Sequence, residues 1–156
     1  MVSSEWAITT AHCAQVKKKS DLSLRVGKSA DEVVSFPITT IVTHPNFDEH
    51  TLDFDYALLK DGEEKESMDF KYANVTIYSI KMCKTHHKGL TKRMICAGDS
   101  EHPENSCQGD TGGPLVSRGK LVGMVSWGQH CFDSNKPVVY AAINPIRKWI
   151  RKHMGI

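Results

Sequence analysis

The sequence predicts an all-β fold, a sandwich or barrel built from many short strands. Apolar and polar residues alternate over several short stretches, turn formers separate those stretches, and a single segment carries helical periodicity. Short strands at such spacing are the pattern of sandwiches and barrels rather than of helix-covered parallel sheets.

The strands follow one another along the chain. Leu22, Leu24 and Val26 alternate with polar residues, and Ile38 to Thr43 is rich in β-branched side chains. Val75, Ile77 and Ser79 alternate with Thr76, Tyr78 and Ile80, as Leu121, Gly123 and Val125 do with Val122 and Met124. Val138-Val139-Tyr140 reads as a further strand, and Asp61-Gly62 and Ser117-Arg118-Gly119 are turn sequences. The exception lies near the end, at about 144–154. There Asn144 is a candidate cap, Pro145 suits a first turn, and Ile146, Trp149, Ile150 and His153 fall on one helical face. Lys148, Arg151 and Lys152 then face water. No repeat interrupts this order. The polar stretch Glu63-Glu64-Lys65-Glu66 marks a junction between two halves, 1–62 and 63–156.

Composition narrows the function classes. With 156 residues, 40% hydrophobic and 24% charged, the chain has an ordinary globular balance. A net charge of +2 with one short basic run, Lys17-Lys18-Lys19, lacks the concentrated basic face of a nucleic-acid binder. No apolar run is long enough to span a bilayer, and the first residues show no signal-peptide pattern. The sequence thus predicts neither nucleic acid nor membrane as a partner. Five cysteines, Cys13, Cys83, Cys96, Cys107 and Cys131, contain no C-x-x-C pair, which argues against a zinc ribbon. Two bridges and one leftover thiol are the natural reading, and bridges imply an oxidising compartment. His86-His87 is too small a cluster to predict a metal site, and no metal or cofactor is expected. Asn74-Val75-Thr76 is a glycosylation sequon in a secreted chain.

Three motifs carry chemistry: Thr10-Ala11-His12-Cys13, Asp55-Tyr56-Ala57-Leu58-Leu59, and Ser106 to Leu115 with Gly109-Asp110-Thr111-Gly112-Gly113-Pro114 at its centre. A hydroxyl is a weak nucleophile near neutral pH and needs an imidazole to remove its proton; a carboxylate then orients the imidazole. In this order, and with Met94-Ile95-Cys96-Ala97-Gly98 and Val125-Ser126-Trp127-Gly128, the chain resembles the chymotrypsin/trypsin family of serine proteases from about Ser4 to its end.

The resemblance implies a double β-barrel, incomplete at its start and between the barrels, with a C-terminal helix. By that likeness residues 1–62 are the remnant of the N-terminal barrel and 63–156 the C-terminal one. His12 is the implied base, Asp55 the orienting acid, and Thr111 stands at the nucleophile. The amides of Gly109 and Thr111 are the implied oxyanion hole. Asn105 is the implied pocket floor, Ser126, Trp127 and Gly128 flank the substrate strand, and Val138 lies on the pocket wall. The implied bridges are Cys83–Cys96 and Cys107–Cys131, with Cys13 unpaired because its family partner lies upstream of Met1. Likeness also implies an extracellular monomer that meets a peptide or protein.

Four departures from the family point to impaired catalysis. Thr111 replaces serine, and its extra methyl restricts the rotamers that aim Oγ. Asp110 lacks the new N-terminal amine with which the family pairs this acid. Only a short stretch separates Asp55 from Thr111, as though a block after Lys60 had been removed. Asn105 replaces the pocket aspartate and Val138 a wall glycine, so a basic substrate side chain loses its charge partner and its space. The expectation is a proteolytic homologue with little or no hydrolysis; the alternatives are a weak endopeptidase using Thr111 or a chain that does not fold.

Overall fold

The computed structural model describes residue 3 and residues 5–15, 22–27, 33–61, 74–98, 111–128 and 136–155. The expectations for Lys17-Lys18-Lys19, the 62/63 junction, Asn105, Cys107, Gly109, Asp110 and Cys131 lie outside the described residues.

Among the described residues nine strands form two antiparallel sheets. The first has the order β1-β4-β3-β2, with β1 Trp6–Thr9, β2 Ser23–Gly27, β3 Val33–Thr43 and β4 Ala57–Asp61. The second has the order β5-β6-β9-β8-β7, with β5 Thr76–Tyr78, β6 Met94–Gly98, β7 Pro114–Ser117, β8 Lys120–Trp127 and β9 Val138–Ala142. Each is a curled half-barrel, and with the terminal helix they give the double-barrel fold of the chymotrypsin type.

Local chemistry explains the elements. Arg118 and Gly119 have φ of 51° and 71°, so the β7–β8 hairpin turns through two left-handed residues, the geometry that matches strand twist. β9 occupies the centre of its sheet, and all five of its residues are buried, which explains its unbroken apolar run. The core lies both within and between the sheets. Ala7, Ile38, Ala57 and Leu59 line the first sheet. A second cluster joins Tyr56 to Met124, Ala141, Ile143, Ile146 and Ile150, with Ile8 and Trp149 packed against it. The Tyr56 hydroxyl reaches across to the Ala142 carbonyl at 2.7 Å and lies 3.1 Å from that of Arg93. Burial pushes the phenol pKa of Tyr56 upward, so it stays neutral and can donate.

Two local expectations are corrected. Ser79 and Ile80 do not continue a strand: Ser79 caps helix α2, Ile80–His86, its Oγ accepting from the Met82 amide at 3.3 Å. A capping hydroxyl stabilises a helix start that alternation alone does not reveal. Cys83 of α2 is bridged to Cys96 of β6, closing a separation of 13 residues; a loop of that length is worth on the order of 3 kcal/mol. At the C-terminus Asn144 does not cap with its side chain. Asn144–Ile146 form a 3-10 turn, the Asn144 carbonyl accepts from the Arg147 amide, and helix α3 follows at Arg147–Met154. The tighter turn satisfies groups that a side-chain cap would otherwise hold. Ile150 is buried while Lys148, Arg151 and Lys152 are exposed. Among the described residues no helix is long and apolar enough to cross a membrane.

Candidate active site

Strand register brings the first two candidate residues together. β1 runs antiparallel to β4 with Thr9 opposite Ala57, so the chain leaving β1 passes the chain entering β4. The first enters a single-turn helix, α1 at Ala11–Ala14, carrying His12; the second carries Asp55 two residues before β4. His12 Nδ1 donates to Asp55 Oδ2 at 2.7 Å, and the His12 amide donates to Oδ1 at 3.0 Å. Ser126, arriving on β8 of the other sheet, donates its hydroxyl to Asp55 Oδ2 at 2.6 Å. The Asp55 side chain is fully buried, whereas that of His12 is 29% exposed. A buried carboxylate is costly unless donors surround it, and three do so here. With Nδ1 donating to Asp55, Nε2 of the neutral ring is the remaining acceptor.

Thr111 begins the turn into β7. Gly112 has φ of 85°, its amide donates to the Val125 carbonyl at 2.8 Å, and the Val125 amide returns a bond to Gly113 at 2.9 Å. A Cβ on Gly112 would lie 2.6 Å from Thr9 Oγ1. Only glycine fits where the turn backbone lies this close to β1. The Thr111 turn is therefore seated against the strand that leads to His12, and Thr111 is half-buried.

The remaining pocket candidates have different surroundings. The Ser126 side chain turns inward to Asp55, and the residue is 5% exposed. Residues 71 positions apart in sequence give no local signal of this bond. Val138 is 2% exposed and packs with Ala97, Leu115, Val125 and Tyr140. His87, read from sequence only as half of a weak metal pair, is a buried support. Its Nε2 donates to the Pro137 carbonyl at 2.6 Å, its ring meets Trp127 edge-on at 5.2 Å, and a Cβ on Gly128 would approach it to 3.2 Å. Among the described residues no group of three or more His, Cys, Asp or Glu side chains could hold a metal ion.

A second polar cluster braces the site from behind. Arg93 Nε donates to Asp53 Oδ1 at 2.9 Å, its Nη2 bonds Oδ2, and Thr91 Oγ1 donates to Oδ1 at 2.9 Å. Burial alone would raise the pKa of Asp53, but the bonds from Arg93 and Thr91 outweigh it and hold the carboxyl below its usual range. His44 stacks on Phe54 at 4.6 Å and packs against Trp149; burial first, then the charge of His153, lowers its pKa.

Cys13 is a free thiol, partly exposed, with Sγ 3.6 Å from His12 Nε2.

Comparison with known proteins fits this geometry. The trypsin family model matches residues 1–67 and 60–150, two stretches that meet where the first sheet ends. Trypsin from Simulium vittatum is 35% identical over 182 aligned residues, covering 90% of this chain and 73% of the relative. Trypsin 5G1 from Aedes aegypti is 32% identical over 198, covering 100% and 74%, and trypsin from Sus scrofa is 31% identical over 195, covering 97% and 82%. Alignments longer than the 156-residue chain mean that these relatives carry positions within the match that this chain lacks. With its two half-barrel sheets, its Asp55–His12 contact and a match spread over nearly its whole length, the chain belongs to the trypsin family.

Proposed function

We propose that this chain is a trypsin-family protease homologue whose hydrolytic step is impaired at Thr111, and that it acts outside the cell by engaging peptides or proteins as a monomer. The observation that carries this reading is a threonine in the glycine-rich turn whose Gly112 lies against Thr9, three residues before His12, where the family has serine. In this reading His12 is the base, Asp55 the orienting acid, and the amides of Gly109 and Thr111 the oxyanion hole. The β-branched side chain limits the rotamers in which Oγ can meet both His12 and an acyl carbon. Internal threonine nucleophiles lack the N-terminal amine that usually activates them. Val138, at 2% exposure, leaves little open wall for a substrate side chain, and Asn105 offers it no charge.

One observation favours a second reading, a weak endopeptidase. The hydrogen bonds of Asp55 to His12 and Ser126 are those a working general base needs. Labelling with a serine-hydrolase phosphonate probe separates the two. The impaired reading expects no labelling of the chain at doses that label trypsin, and labelling at Thr111 overturns it. The Thr111→Ser variant is expected to stay at least about tenfold below a trypsin, because Asn105 and Val138 remain.

A further inference from the structure

Charge is divided unequally between the two halves of the molecule. Among the described residues from 74 to 98, 111 to 128 and 136 to 155, which build the five-stranded sheet with α2 and α3, none is Asp or Glu. The side of the four-stranded sheet carries Glu5, Asp48, Glu49, Asp53, Asp55 and Asp61. On the acid-free side the cations gather most densely on α3, where Arg147, Lys148, Arg151 and Lys152 are all exposed. Their spacing puts all four on one flank of the helix, while Trp149 and Ile150 hold the other flank to the core. The helix dipole does not account for this stripe. It favours Arg151 and Lys152 near the C-terminus, but Arg147 and Lys148 stand in the first turn, where a cation is disfavoured and no acidic residue offsets it. The ion pairs among the described residues join His12 to Asp55, Lys60 to Glu5 and Arg93 to Asp53, and none uses α3.

A second basic segment adjoins the start of this helix. The Ala142 amide donates to the Arg93 carbonyl at 2.8 Å, so residues 91–93 lie beside the strand end that leads into α3. Lys88 and Lys92 are exposed there, while bonds to Pro137 and Asp53 anchor His87, Thr91 and Arg93 between them. Both segments are thus held in place before a partner arrives, which lowers the ordering cost of binding.

We infer that α3 and the 87–93 segment form one basic surface that docks a linear sulfated polysaccharide. Cations repeating about 6 Å apart along a helix call for a polyanion, whose condensed counterions are released as its charges are neutralised. Bases have nothing to stack on, because Trp149, the aromatic of α3, packs against His44. The exposed large apolar residues, Ile77, Ile80, Met82 and Val116, lie off both segments, so the surface lacks the apolar flank of a membrane-seeking helix. The choice of a sulfated glycan rests on the extracellular placement proposed above, and the Cys83–Cys96 bridge is in keeping with an oxidising compartment. The surface itself does not depend on Thr111, so loss of binding leaves the hydrolytic reading to the phosphonate test.

The test measures the Kd of the full chain for a fluorescent heparin dodecasaccharide at a series of salt concentrations. Affinity is expected to fall on the order of a hundredfold between about 50 and 200 mM NaCl. Replacing Arg147, Lys148, Arg151 and Lys152 together by Gln, which keeps helix propensity, is expected to weaken binding at least about tenfold and to flatten the salt slope. Lys152→Gln alone is expected to cost more than Lys60→Gln, which removes the same charge from the other sheet. An unchanged slope in the fourfold variant overturns the proposal, as do equal losses in the two single variants. If the fourfold variant does not unfold cooperatively, the single variants decide. Single-stranded DNA that competes as well as heparin at equal charge overturns the choice of a sulfated glycan.

Discussion

The two sheets treat their share of the site differently. On the side of the four-stranded sheet, His12 is hydrogen-bonded to the buried carboxylate of Asp55. On the side of the five-stranded sheet stand Thr111 and Val138, the described residues that the proposed function takes as departures from the family pattern. The difference follows from what else each residue does. Asp55 is a structural joint: it accepts from His12 on one side and from Ser126 of the other sheet, so changing it strands buried donors. Thr111 is in a turn held by the backbone of Gly112 and Gly113, and Val138 fills its apolar surroundings. A substitution at Thr111 leaves the backbone bonds of that turn in place.

The comparison can be broken by measuring stability on both sides. The largest effect is expected for Asp55→Ala, about 3–5 kcal/mol in denaturant unfolding, since it leaves the His12 and Ser126 donors without their acceptor. A loss under about 1 kcal/mol would mean that Asp55 is not a joint. Val138→Gly is expected to cost about 2–3 kcal/mol by removing a buried side chain, while opening space beside Val125 and Tyr140. Uptake of a small neutral aromatic amide by this variant and not by the parent would show that Val138 closes the slot. Tyr56→Phe removes the hydroxyl that reaches Ala142 and is expected to cost about 1–2 kcal/mol in the same assay.

The smallest effect is a pH dependence. The folded pKa of Asp53 is held below its unfolded value, first against burial and then by Arg93 and Thr91. Its contribution is therefore full above the ordinary carboxylate value of about 3.9 and is lost as pH falls through the folded value. Both partners are partly exposed, so screening keeps this to about 1 kcal/mol. Thermal unfolding of Asp53→Asn between pH 5 and pH 2 should show a correspondingly shallower acid loss than the parent. An unchanged slope would assign the acid sensitivity to other carboxylates.

Much of this was legible from sequence because the signals are local. Alternation placed β2 and β8, the Val138-Val139-Tyr140 run placed β9, Ser117-Arg118-Gly119 placed a turn, and the apolar stripe with Pro145 placed the terminal helix. The three motifs around His12, Asp55 and Thr111 marked the family before any contact was known. What stayed hidden depended on distant partners or on caps. The helix at Ile80–His86 starts at a serine whose capping bond overrides an alternating pattern. The support given by His87 depends on Pro137, 50 positions away, and the inward turn of Ser126 depends on Asp55.

By itself the sequence determined the fold class and the family likeness and marked His12, Asp55 and Thr111 as candidates, because residue type and short-range order carry that information. Only the tertiary structure decided that Asp55 bridges two sheets, that Val138 is sealed in an apolar cluster, and that the Cys13 thiol touches Nε2 of His12. Those contacts arise when strand register and sheet packing bring distant side chains within bonding distance, and no local pattern encodes that encounter.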